Sequence, residues 1–185
     1  MNTKIEREAR DMLTIIEDKD YFQSLPEHRK TVAVSLAAVS LNAQNLEYVP
    51  EDVISKEFEG RHICRAALAA DDADFRILPH IPFSDVQKEG VEKFLKTESP
   101  FLVYSFADMQ DAKMAQEAVK TCAYCIQLVP DKLLTKDLCK TALTSPNADE
   151  KMAKFVMERF PELKKEGMMP EDAKKQQNTG MKIKM

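Results

Sequence analysis

The sequence predicts an all-α protein: a helical-repeat, α-solenoid-like array of about six two-helix units, each about 25 residues long. Three observations carry that reading. An alanine-rich helical stretch returns along the chain, each time followed by an apolar-x-x-apolar-Pro corner. The corners are nearly evenly spaced. Only four glycines accompany nine prolines in 185 residues, a balance that suits helices parted by corners better than a sheet. No strongly alternating run of strand length occurs; Phe101-Leu102-Val103-Tyr104 comes nearest and already belongs to the repeat.

The first unit opens on Thr3 and Glu6, the spacing of a capping box. Ile5, Ala9, Met12, Leu13 and Ile16 form one apolar stripe on the helix that follows, which predicts an end cap with its polar side toward water. Its corner is Leu25-Pro26. The second unit ends at Val49-Pro50 and the third at Leu78-Pro79. A degenerate fourth has Ser105 in the proline place behind Val103-Tyr104. Val129-Pro130 closes the fifth and Phe160-Pro161 the sixth. Anchors at 26, 50, 79, 105, 130 and 161 give spacings of 24, 29, 26, 25 and 31.

Four residues before each anchor stands Phe22, Leu46, Phe75, Phe101, Ile126 or Met157, and one before stands Leu25, Val49, Leu78, Tyr104, Val129 or Phe160. Apolar residues three apart share one face of a short helical turn. Proline then forces its predecessor out of the helical basin and starts a new turn. Acids follow at Glu27, Glu51, Asp131 and Glu162, where a helix start favours negative charge. Ile15, Val39, Leu68, Phe94 and Val119 lie eleven before the anchor. Ser35, Cys64, Gly90 and Ala115 lie fifteen before it, small enough to let helices approach. An insertion of about seven residues around Ser145-Pro146-Asn147 brings Cys139, Ala142 and Leu143 of the last unit into this register.

The second unit, Val34-Ser35-Leu36-Ala37-Ala38-Val39 through Asn42 to Leu46-Glu47-Tyr48-Val49-Pro50-Glu51-Asp52-Val53, resembles an uncharacterised bacterial family of tandem short helical repeats. Units of that family, a domain of unknown function, read roughly Leu-Ala-Ala-Val, Asn-Gly, Leu-x-Tyr-Val-Pro-Glu-Glu-Leu. Ile63-Cys64-Arg65-Ala66-Ala67-Leu68 with Ile77-Leu78-Pro79, and Ala118-Val119 with Leu128-Val129-Pro130-Asp131, are weaker copies. The family's Asn-Gly turn is replaced by Asn42-Ala43, Asp71-Asp72 and Cys122-Ala123. The resemblance spans roughly residues 10–163 and is strong in the second unit. It implies an all-helical repeat array and no catalytic residues.

One repeat domain over 1–165 is expected, followed by a flexible tail over 166–185. That tail is polar and lysine-rich, with Met168, Met169, Met181 and Met185; its functional alternative is a segment that orders on a partner. No run approaches a membrane span, and Met1-Asn2-Thr3-Lys4 leads into a charged helix rather than a signal region. The expected location is the cytoplasm, with the four cysteines as reduced thiols. Net charge is −4, divided as −6 over residues 1–90 and +2 over 91–185. This balance argues against a nucleic-acid surface, though a basic stripe on the second half keeps that alternative open.

Cys122-Ala123-Tyr124-Cys125 is the one spacing that suggests a metal or redox site. A structural zinc site needs four ligands, and a thioredoxin-like motif needs a strand before it. Cys64 and Cys139 fall at the small-residue position, and His28, His62 and His80 share no register. His62 and Cys64 point to different helix faces. Asp71-Asp72 and Asp85 with Glu89 read as solvated surface charges rather than acid and base. No catalytic, cofactor-binding or metal-binding residue is assigned, and no cofactor is expected. The function this predicts is non-catalytic binding of another protein; the alternatives are a nucleic-acid-binding repeat and an accessory domain of an enzyme system.

Overall fold

The computed structural model describes residues 3–109 and 111–165. The expected tail over 166–185, with its four methionines, lies outside them. Among the described residues the ordered elements are all helical, with no strand. The chain divides into two compact units, Met1–Glu98 with Phe106–Asp108, and Ser99–Ser105 with Met109–Met185.

In the first unit α1 (Lys4–Glu17) and α2 (Tyr21–Ser24) lead to a 3-10 turn, Glu27–Arg29. Next come α3 (Val32–Leu41), a 3-10 segment Ala43–Tyr48, and α4 (Glu51–Ile54). The unit continues with α5 (Glu57–Ala69), a 3-10 segment Phe75–His80, and α6 (Ser84–Phe94). The long helices pack in succession, α3 against both α1 and α5, and α5 against α6. The short elements follow the same order: α2 meets Ala43–Tyr48, which meets Phe75–His80. The next helix, α7 (Pro100–Phe106), carries the division between the units. Gln87 ties Phe106–Asp108 into the first: its Nε2 donates to the Leu78 carbonyl at 3.0 Å, and its Oε1 accepts from the Asp108 amide at 3.1 Å. The second unit continues with α8 (Ala112–Thr121), 3-10 segments Ala123–Leu128 and Asp131–Leu133, then α9 (Lys136–Leu143), α10 (Glu150–Arg159) and α11 (Glu162–Lys165).

Burial follows the sequence register closely. Ile15, Val39, Leu68, Phe94 and Val119 are all buried, as are Ser35, Cys64, Gly90, Ala115 and Cys139. A β-carbon on Gly90 would come within 2.7 Å of Leu78 Cδ2 and 2.9 Å of Leu68 Cδ2, so a larger residue there would displace the ends of both leucine side chains. Just before the anchors, Leu25, Val49, Leu78, Tyr104 and Val129 are buried, whereas Phe160 is half-buried. Four before, Phe22, Leu46 and Ile126 are buried, whereas Phe75 and Met157 are half-buried and Phe101 is exposed. In those three segments Ile77, Val103 and Val156 take the deep position. Pro79 lies inside its 3-10 helix, and α7 and α10 turn with α rather than 3-10 periodicity, so a different residue faces inward.

The second and fifth corners are the same local structure, 80 residues apart. Asn42 and Cys122 end their helices at φ/ψ of −149°/106° and −145°/113°. Val49 and Val129 follow at −73°/126° and −71°/124°, and Pro50 and Pro130 at −59°/146° and −58°/143°. A proline holds its predecessor extended and opens the next turn, so like sequences yield like corners.

Two expectations are corrected. The insertion in the last segment lies in α10, not around Ser145-Pro146-Asn147. From Leu68 to the helix-capping Asp74 is as far along the chain as from Leu143 to the capping Asp149, and the Ala73→Ala70 turn bond recurs as Ala148→Ser145. The extra residues therefore lengthen α10. About seven residues make nearly two whole turns, which drift only about 20° and keep the same face inward.

The second correction concerns α1. Its capping box is present, with the Thr3 amide donating to Glu6 Oε2 at 2.8 Å and the Glu6 amide to Thr3 Oγ1 at 3.2 Å. The apolar stripe, however, faces solvent: Ile5 is 77% exposed, and Leu13 and Ile16 are each 63% exposed. Inward-facing are Ile15 and Asp11, the latter holding the guanidinium of Arg29 through both carboxylate oxygens. A forked, charge-assisted pair anchors that side and sets the helix's rotation.

Candidate functional site

The cysteine motif occupies a repeated structural position. Cys122 and Cys125 stand where the second corner has Asn42 and Asn45. Asn42 Oδ1 accepts from the Gln44 amide at 3.0 Å, and buried Asn45 donates to the carbonyls of Lys19 and Ala38. Cys125 fills the equivalent buried slot, and burial pushes its thiol up. Burial likewise raises Cys64 to about 12 and Cys139 to about 11, so the uncharged thiol is the stable form at neutral pH. All four cysteines are free, and α8 rather than a strand precedes the pair. Among the described residues no group of three His, Cys, Asp or Glu side chains is placed to hold a metal ion.

Cys64 is buried while His62 is exposed. Asp72 accepts from the Ala43 amide at 3.1 Å. Asp85 and Glu89 pair across α5 and α6 with Arg61 and Arg65. Those guanidiniums hold both carboxyls below their ordinary values. A polar latch recurs beside the corners. Gln44 Nε2 donates to Asp74 at 3.2 Å, and at the matching position the Tyr124 hydroxyl donates to Asp149. Both aspartates also cap the next helical segment, accepting from the amides of Arg76 and Met152.

Besides the exposed Phe58, which lines a cavity of about 270 Å³ on α5 with Arg61 and Arg65, two surfaces of the first unit bear on recognition. One is the α1 stripe, a run at i, i+4, i+7, i+8 and i+11 whose ends and middle lie open to water among the described residues. The other is a cavity of about 440 Å³ in the first unit. Its wall includes Lys30, Thr31, Val32 and Ala33, with Lys4, Lys56, His28, Glu8, Glu27 and Asp52 also on it. Lys30 is only 7% exposed. Its ammonium lies 5.0 Å from the Phe22 ring centroid and 5.7 Å from that of Tyr48. Ser35 Oγ donates to the Lys30 carbonyl at 3.3 Å, fixing the backbone there. Desolvation lowers the Lys30 pKa, partly offset by the charge of Glu27.

The burial of this lysine carries a partial sequence signal: four residues beyond the anchors the slot is apolar at Ile54, Phe83, Met109 and Leu134 and holds a lysine in the first and sixth units, Lys30 and Lys165. Asp11 is a similar signal, an acid at the position where later segments carry Ser35, Cys64, Gly90 and Ala115. Comparison with protein-family models, with curated proteins and with solved structures finds no match.

Proposed function

We propose that this chain is a non-catalytic helical-repeat module that binds another protein through the apolar face of α1. The observation that carries the reading is that stripe: Ile5, Leu13 and Ile16 lie on solvent at helical spacing, while Asp11 and Ile15 hold the opposite rotation in place. Exposed apolar residues gathered on one helix face mark an interaction surface far more than scattered ones do. An amphipathic helix of the partner, reading the same i, i+3/i+4 spacing, is the complementary shape. The α-solenoid reading draws on the successive packing of long and short elements, on register-specific burial, and on the duplicated corners. Such arrays contact chiefly their neighbours and present extended faces.

The test is a tagged full chain recovered from its source cells, the partner identified by mass spectrometry, purified, and its affinity measured by calorimetry. Leu13→Lys with Ile16→Lys is expected to weaken that purified pair at least tenfold while leaving the melting temperature unchanged, because both side chains already face water. Equal affinity for parent and double variant overturns the reading. So does a parent chain that sediments as a dimer which the double variant dissolves, since the face then serves a second copy.

A further inference from the structure

The turn Cys122-Ala123-Tyr124-Cys125 brings two thiols together. The Cys125 amide donates to the Cys122 carbonyl at 2.9 Å, a bond that closes four residues into one turn. In such a turn the first and fourth Cα atoms lie within about 7 Å, and a disulfide spans Cα atoms about 4.4–6.8 Å apart. Side chains three residues apart in 3-10 winding also lie over one another. Here the two thiols meet in a hydrogen bond. The corner itself does not demand cysteines. Its counterpart closes with the Asn45 amide on the Asn42 carbonyl at 3.0 Å, and there the Asn45 side chain turns away to the carbonyls of Lys19 and Ala38.

Access divides the roles. Cys122 is half-buried, whereas Cys125 is fully buried. A small disulfide therefore reaches the Cys122 sulfur, and the Cys125 sulfur meets Cys122 from the buried side. Burial above all, then the charge of Cys122 and the hydrogen bond to it, push the Cys125 thiol up. The last two causes vanish once the Cys122 sulfur is held in a disulfide, so Cys125 ionises more readily at the step that uses it. We propose that Cys122 and Cys125 form a dithiol site that low-molecular-weight disulfides oxidise to an intrachain disulfide. The Cys122 thiolate attacks one sulfur of the reagent, whose S–S bond breaks, and the departing thiolate takes up the proton that Cys122 gave. Cys125 then gives up its proton and attacks the Cys122 sulfur, forming the bond between the two cysteines. The second reagent thiolate leaves and takes that proton, so two electrons pass from the chain and the reagent ends as two thiols. This second step is intramolecular, and the turn supplies its geometry.

The probe is glutathione disulfide. The reduced full chain is incubated with it, then denatured, alkylated and digested with trypsin. Both cysteines, and neither Cys64 nor Cys139, fall in the tryptic peptide of residues 121–132. The expected product is that peptide lighter by two hydrogens and free of glutathione, with Cys64 and Cys139 alkylated. Cys125→Ala is expected to keep glutathione on Cys122, and Cys122→Ser to leave Cys125 a thiol. Ellman's reagent is expected to follow the same course. One aryl thiol is released rapidly at Cys122, in proportion to reagent, and a second more slowly at a rate that does not depend on reagent. The proposal is overturned by a parent chain that keeps glutathione on Cys122 or stays alkylated at both positions. Oxidation of Cys64 or Cys139 to the same extent, or a second release proportional to reagent, overturns it too. These readouts come from the parent chain, so they stand if a variant does not fold. The Leu13→Lys, Ile16→Lys chain is expected to be oxidised as the parent is, which separates this site from the protein-binding face.

Discussion

At the scale of single residues, the same structural slot is filled by different chemistry, and the difference carries the information. Cys125 and Asn45 share one buried position, yet only the amide finds hydrogen-bond partners on carbonyls there. Cys64, Cys125 and Cys139 are fully buried, whereas Cys122 is half-buried at the end of α8. A thiol reacts as thiolate and only where reagent can reach it. Ellman-type titration of the native chain is therefore expected to show one rapid thiol, removed by Cys122→Ser, with all four appearing in denaturant. Reaction of Cys64 or Cys139 at the rate of Cys122 would show that those slots open freely. Gly60 illustrates the opposite constraint: a β-carbon there would lie 1.9 Å from the Ile54 carbonyl oxygen, a backbone atom that cannot step aside.

Elements are set by local patterns, but their orientation is not. The corner made by Leu46, Val49 and Pro50 returns in Ile126, Val129 and Pro130 with dihedrals within a few degrees, because proline geometry and apolar spacing act over only a few residues. Val49 and Val129 are 8% and 6% exposed. Val49→Asp and Val129→Asp are each expected to cost about 3 kcal/mol or more in urea unfolding, since each buries a carboxylate without a partner. Glu47→Ala and Gln127→Ala, exposed beside them, are expected to stay within about 0.5 kcal/mol. Parent-like midpoints for both aspartate variants would remove these valines from the core. In α1, by contrast, periodicity identifies an apolar face correctly and leaves its direction open. The pairing of Asp11 with Arg29 and the burial of Ile15 decide it.

For the molecule as a whole, carboxylates that gain partners on folding link stability to pH. Hydrogen bonds from Arg76, Arg61, Arg65 and Tyr124 hold Asp74, Asp85, Glu89 and Asp149 below their ordinary values of 3.8 for Asp and 4.5 for Glu. A depressed folded-state value contributes stability that is complete above the unfolded value and disappears as pH falls through the folded one. The melting temperature is therefore expected to hold down to about pH 5 and to fall progressively from about pH 4.5 through pH 3. Added salt should shrink the part owed to the exposed arginine pairs. A melting temperature that stays flat or rises between pH 4.5 and pH 3 would show that these pairs do not matter. The helical class, the corners and most buried positions were legible in the sequence, because each is written in spacings of about fifteen residues or fewer. Three things were not: the outward rotation of α1, the placement of the extra turns in α10, and the burial of Lys30. Each depends on which surface of the rest of the chain arrives to compete for a given face. A periodic pattern states that a face is apolar or a slot is recurrent; only the packed structure supplies the neighbour that covers it or leaves it bare.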